Sequence, residues 1–113
     1  MQKTTALTLR ALVALIALMA LLVMHGNANA ADAQVKIANF TFEPAMLTVK
    51  VGTTVIWVND DDIPHLVSEK DGKFRSSALD TGDKFSQTFS AAGTVEYFCA
   101  IHPHMTGKIV VEP

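Results

Sequence analysis

Val95-Glu96-Tyr97-Phe98-Cys99-Ala100-Ile101-His102-Pro103-His104-Met105-Thr106-Gly107-Lys108-Ile109-Val110-Val111 is the stretch that decides the fold. It opens with strict alternation. Val95, Tyr97 and Cys99 fall on one face, which is taken as inward, and Glu96 and Phe98 on the other. It closes on Lys108 to Val111, a β-rich run that ends the chain. Working back, the same period of two recurs. Val35 and Ile37 alternate and Phe40 and Phe42 follow, then Leu47, Val49 and Val51 alternate up to Gly52. Val55-Ile56-Trp57-Val58 is apolar on both faces, as a central strand would be, and Phe85 and Phe89 flank Gln87 and Thr88. Turn residues separate the runs at Gly52, Asn59 to Asp62, Gly72, Gly82 and Gly93. Many short strands at regular spacing predict one antiparallel sandwich or barrel, with no helical period after Ala31.

The same stretch carries the chemistry. Cys99, the only cysteine, is followed by His102 and Met105, and a further imidazole, His65, lies upstream in Ile63-Pro64-His65. Two imidazoles, a thiolate and a thioether form the donor set of a blue-copper electron-transfer site. Thiolate and thioether suit Cu(I) and imidazole is acceptable to Cu(II), so one fixed site can hold both states. Each residue also has an ordinary reading. Cys99 could be a buried core thiol, His65 a strand-end histidine and Met105 a gap-filling core residue. Zinc is the runner-up metal, although thioether serves it poorly. His104, separated from His102 by Pro103, is expected to face solvent. The strand reading places Cys99 at the end of a strand, His102 and Met105 in a six-residue turn, and His65 at the start of a strand His65-Leu66-Val67. All four then gather at one end of the sandwich.

The N-terminal thirty residues read differently. Lys3 and Arg10 precede an uncharged run from Ala11 to Met24, and Ala28-Asn29-Ala30 has the small-residue pattern of a cleavage site. The run is shorter than the roughly 20 apolar residues of a spanning helix. Residues 1–30 are therefore expected to be a cleaved export signal rather than a stable membrane anchor, and residues 31–113 a single domain. That domain carries 7 basic and 11 acidic residues, and nothing in it marks a nucleic-acid partner. A small exported domain with one cysteine cannot staple itself with an internal disulfide, so the thiol is free for a metal.

Val55-Ile56-Trp57-Val58-Asn59, Pro64-His65, Tyr97-Phe98-Cys99 and the Cys-x-x-His-Pro-x-Met turn together resemble the small cupredoxins. The likeness is greatest to the amicyanins and more distant to plastocyanins and pseudoazurins. The resemblance implies an all-β, Greek-key β-sandwich of about seven to eight short strands and one copper ion. His65, Cys99 and His102 would be the strong equatorial ligands and Met105 the long axial one. It implies a one-electron carrier, exported or periplasmic and not an enzyme. Its partners would be redox proteins, such as a dehydrogenase donor and a cytochrome acceptor. Copper buffering or delivery is the alternative, and a monomer is expected. His102 would be the electron door, with Ile63, Pro64 and Pro103 as an apolar rim. Two departures stand out. Leu66 occupies the place where the family usually has Asn, so only its backbone N–H can reach the thiolate. His104 replaces an aromatic residue. Asp60-Asp61-Asp62 reads either as a solvated turn or as a negative patch that steers a basic partner.

Overall fold

The computed structural model describes residues 32–113. The expected export segment, residues 1–30, lies outside the described residues. Eight strands follow in order: β1 (Asp32–Ala38), β2 (Thr41–Glu43), β3 (Met46–Lys50), β4 (Thr54–Asn59), β5 (Ser68–Glu69), β6 (Lys84–Thr88), β7 (Gly93–Cys99) and β8 (His102–Glu112). They form two four-stranded sheets, ordered β2-β1-β4-β6 and β3-β8-β7-β5. The expected all-β sandwich is what the chain builds.

The pairing corrects the antiparallel expectation. β1 runs parallel to β4, with Val35 opposite Trp57, and β3 runs parallel to β8, with Leu47 opposite Ile109. Between β2 and β7 the chain changes sheet at every connection, so strands distant in sequence become neighbours pointing the same way. Alternation of apolar residues reports which face is buried and is blind to a partner's direction.

The inward faces supply the core. Val35, Ile37, Val55, Trp57, Tyr97, Cys99, Ile109 and Val111 are all buried. Trp57 sits on β4, flanked by β1 and β6, and its ring lies 5.3–6.4 Å from the rings of Tyr97, Phe85, Phe74 and Phe89. Phe42 packs edge-on to Tyr97 at 4.7 Å. Tyr97 is opposite Gly107 across β7 and β8. A β-carbon at position 107 would fall inside the Tyr97 ring, so glycine makes the space that the phenol fills. Trp57 Nε1 and Tyr97 Oη are buried without hydrogen-bond partners. Burial pushes the Tyr97 phenol up to about 12; the nearby Trp57 indole N–H offsets part of this without being aligned as a hydrogen bond.

Three local expectations change. The predicted strand at His65-Leu66-Val67 is not one: β5 starts at Ser68, and His65 forms an isolated bridge with Leu79. The predicted six-residue turn shrinks to Ala100-Ile101, because Cys99 pairs with His102 across a register shift after Phe98. His102 and Met105 therefore lie on β8. Phe40 continues no strand either; it belongs to the two-residue turn between β1 and β2.

Candidate metal centre

At one end of the sandwich, β7, β8 and the segment leading to β5 bring three donor atoms together. His65 Nδ1 lies 3.2 Å from His102 Nδ1, and Cys99 Sγ lies 3.8 Å from the first and 3.6 Å from the second. A point equidistant from the corners of that triangle is about 2.1 Å from each, against roughly 2.0–2.3 Å for bonds from a first-row metal to nitrogen and sulfur. The residues fit a trigonal metal site. Met105, the fourth expected residue, is buried on the inward face of β8, on the side shared with Ile109 and Val111. His104 is exposed, as expected.

Each donor is held by its own local structure. Cys99 ends the inward row of β7 and is fully buried. The Leu66 backbone N–H points at Sγ from 3.3 Å, so the Leu66 side chain leaves that contact intact. His65 is fully buried. Its backbone exchanges hydrogen bonds with Leu79, and its Nε2 is 2.7 Å from Asp61 Oδ2. A proton on Nε2 donates to that carboxylate and leaves Nδ1 as a lone pair aimed at the site, the outer hydrogen bond that fixes a metal-binding tautomer. His102 is half-buried and approaches from the strand opposite Cys99.

The loop between β4 and His65 is organised by two polar residues. Asn59, fully buried, donates through Nδ2 to the carbonyls of Ile63 and Leu79, each at 2.8 Å, and accepts from Asp61 N at 2.9 Å. Asp61 accepts from the backbone N–H groups of Asn39 at 2.6 Å and Phe40 at 3.0 Å. Burial raises its pKa, but the amides of Phe40 and Asn39 and the imidazole of His65 outweigh that and hold it below the usual carboxylate value. Asp61 is thus turned inward from the Asp60-Asp61-Asp62 run, its side chain only 12 % exposed, while its carboxylate keeps its negative charge.

Asn39 and Phe40 both have positive φ, 52° and 57°. For a residue with a β-carbon, left-handed backbone costs roughly 1–2 kcal/mol. The turn places the Phe40 ring perpendicular to the rings of His65 and His102, at centroid distances of 5.4 and 5.0 Å respectively. Sequence reasoning missed both Asp61 as the histidine's partner and Phe40 as its cover. A carboxylate four residues before a candidate histidine was the signal available for the first. For the second it was an Asn-Phe pair where a tight hairpin ordinarily has Asn-Gly.

Residues 11–111 match the family described as Cupredoxin-like domain. The chain belongs to the cupredoxin-like family. Within it, this cupredoxin is 37 % identical over 90 residues to amicyanin-alpha of Methylorubrum extorquens, covering 75 % of this chain and 76 % of that protein. It is 42 % identical over 83 residues to amicyanin of Paracoccus denitrificans, covering 69 % of this chain and 63 % of that one. A solved Cu(I) form of an amicyanin variant superposes with a TM-score of 0.69 at 38 % identity, over 77 % of this chain and 87 % of that structure. The resemblance read from the ligand turn holds: this is an amicyanin-like blue copper protein.

Proposed function

We propose that His65 Nδ1, Cys99 Sγ and His102 Nδ1 would hold one copper ion, with the Met105 thioether as a fourth, weaker donor, and that the protein carries single electrons between redox proteins. The observation that carries this reading is the donor triangle, whose centre stands at metal-bond distance from all three atoms. Copper supplies the one-electron couple. The chain's own residues keep the donors in place through both oxidation states. Asp61 holds the His65 tautomer, the Leu66 N–H offers a hydrogen bond to the thiolate, and the pairing of Cys99 with His102 fixes their spacing.

His102 is the partly exposed imidazole of the set and is the door for the electron. Pro64 and Pro103 are exposed and Ile63 half-buried, so the rim around that door is the surface for redox partners; a dehydrogenase donor and a cytochrome acceptor fit the family resemblance. The protein is a monomeric carrier rather than an enzyme. His65 and Cys99 are fully buried and only the half-buried His102 reaches toward solvent, an arrangement suited to passing an electron. Copper delivery is less well served by this arrangement, because the thiolate that would have to be reached is fully buried. Residues 1–30 act as an export signal, which places residues 31–113 in the periplasm or an equivalent compartment.

The test is the visible spectrum of residues 31–113 with one equivalent of Cu(II), followed by a reductant. An intense blue band that bleaches reversibly, and is lost in Cys99→Ser, is the expected result, since that colour arises from thiolate-to-copper charge transfer. A pale spectrum from the parent protein, or an unchanged band in Cys99→Ser, overturns the assignment.

A further inference from the structure

The turn between β1 and β2 breaks a local rule at an exposed position. Ala38 and Thr41 are the last paired residues, so Asn39-Phe40 is a two-residue hairpin loop, with φ of 52° and 57°. Both central residues are left-handed, as in the mirror-image type I turn. That turn favours Asn first and Gly second. Asn39 obeys this and Phe40 does not. A strained aromatic is usually repaid by burial, yet Phe40 is 51 % exposed and stands outside the core cluster. Its contacts are of another kind. The ring stands perpendicular to that of His65, at 5.4 Å and 88°, and to that of His102, at 5.0 Å and 84°. The strained backbone is anchored by Asp61, which accepts from both N–H groups of the turn and also meets His65 Nε2. One carboxylate therefore registers the turn against the ligand. Strain kept at a place where packing gives little in return marks a site where geometry serves function.

We propose that Phe40 is a positioning residue that covers both ligand imidazoles. It restricts their rotation away from the site and blocks the approach of outside ligands from the solvent side. The proposal rests on the copper reading above for its consequence, but its structural part concerns the imidazoles alone. The Phe40 ring stands perpendicular to that of His102, the partly exposed donor imidazole, which is the one with room to swing out. His65 is already pinned on its far side by Asp61.

Phe40→Gly separates this role from simple packing, because glycine suits the left-handed backbone and removes only the ring. The apoprotein should then be as stable to urea as the parent, or more so. Its His102 ring resonances in the copper-free protein should show faster ring motion by NMR relaxation. In the Cu(I)-loaded protein, capture of the metal by bathocuproine disulfonate should be about tenfold faster, the scale expected from losing two edge-to-face contacts. Phe40→Tyr, which keeps the ring, should restore slow capture. Unchanged His102 motion and unchanged capture in Phe40→Gly overturn the proposal. So does a loss of stability large enough to explain faster capture through unfolding, which would assign the ring to packing. If the parent protein shows no blue band, the copper reading fails by itself, and the ring motion in the apoprotein still decides the role of Phe40.

Discussion

The copper end and the aromatic middle of this sandwich are built on opposite terms. At the copper end, buried polar groups are partnered: Asn59 uses its donors on two carbonyls and its oxygen on Asp61 N, and Asp61 takes two backbone amides and His65. In the middle, shape rules. Trp57 and Tyr97 lie within packing distance of several rings, and their polar atoms have no partner. One region holds its geometry by directional bonds, which fix where a nitrogen points. The other holds by volume, which fixes where a ring can be. A metal site needs the first kind of control and a thin core can manage with the second.

The comparison breaks most easily in the middle. Gly107→Ala puts a methyl group into the Tyr97 ring, and overpacking of this kind should cost about 3 kcal/mol, measured as a fall in urea stability of the apoprotein. Because Tyr97 precedes Cys99 by two positions on the same inward face, the site should loosen with it. A variant as stable as the parent would show that the core yields more easily than its packing suggests. At the copper end, loss of a partner should matter more than change of volume. Asp61→Asn keeps the size of the side chain and one oxygen for the turn amides, but cannot give both Asn39/Phe40 and His65 an oxygen acceptor. Copper affinity should fall roughly tenfold, and the urea stability of the apoprotein should fall by about 1–2 kcal/mol, because a partly buried donor loses its acceptor. A higher reduction potential should follow, since His65 becomes a poorer donor to Cu(II). Equal affinity and potential in parent and variant would mean that the His65 tautomer is held by something other than Asp61.

The two regions were also unequally legible in the sequence. Alternation exposed the inward face of β7 and the buried nature of β4, because a strand half in water must write its burial in every second residue. The candidate donors were legible as a cluster because three soft or imidazole donors within seven positions have few other uses on a β chain. Strand direction was not legible: the parallel pairs of β1 with β4 and β3 with β8 depend on where the chain crosses between sheets. Nor was the shortness of the ligand turn, which follows from the Cys99–His102 pairing across a bulge. The Asp60-Asp61-Asp62 run looked like uniform surface charge. Only the fold turns Asp61 toward the Asn39-Phe40 turn, 22 and 21 positions away, and no local pattern reports such a contact.

Alkaline pH sharpens the contrast from the side of the core. Burial raises the Tyr97 phenol to about 12 from an ordinary 10.0, so the folded state keeps its proton where the unfolded chain has lost it. The stability that depends on this is fully present below pH 10.0 and is lost as pH rises toward about 12, by at most about 1.4 kcal/mol per pH unit. Tyr97→Phe removes the titrating group together with an unpartnered buried hydroxyl. It should match the parent at neutral pH and fall less steeply above pH 10.0 when urea midpoints are compared. Parallel alkaline limbs in the two proteins would contradict the buried-phenol account.

The smallest effect is expected where a carboxylate has partners but not shelter. Glu96 lies 3.1 Å from Lys70 Nζ and 3.6 Å from Lys108 Nζ, with its side chain 43 % exposed. The hydrogen bond from Lys70, helped by the charges of Lys70 and Lys108, holds its pKa below the usual value. Water and salt screen such pairs, and the long lysine side chains lose freedom in making them, so the net gain is slight. Glu96→Gln is the same chemical change as Asp61→Asn, made on the outer face of β7 instead of between a strained turn and a buried imidazole. It should leave the urea midpoint, copper affinity and reduction potential where they are, at low salt and high. If the two variants instead moved these quantities alike, general surface charge would govern the site, and the directional control assigned here to Asp61 would fail. If only Asp61→Asn moves them, the number of partners a carboxylate has matters less than whether one of those partners is a ligand shut away from water.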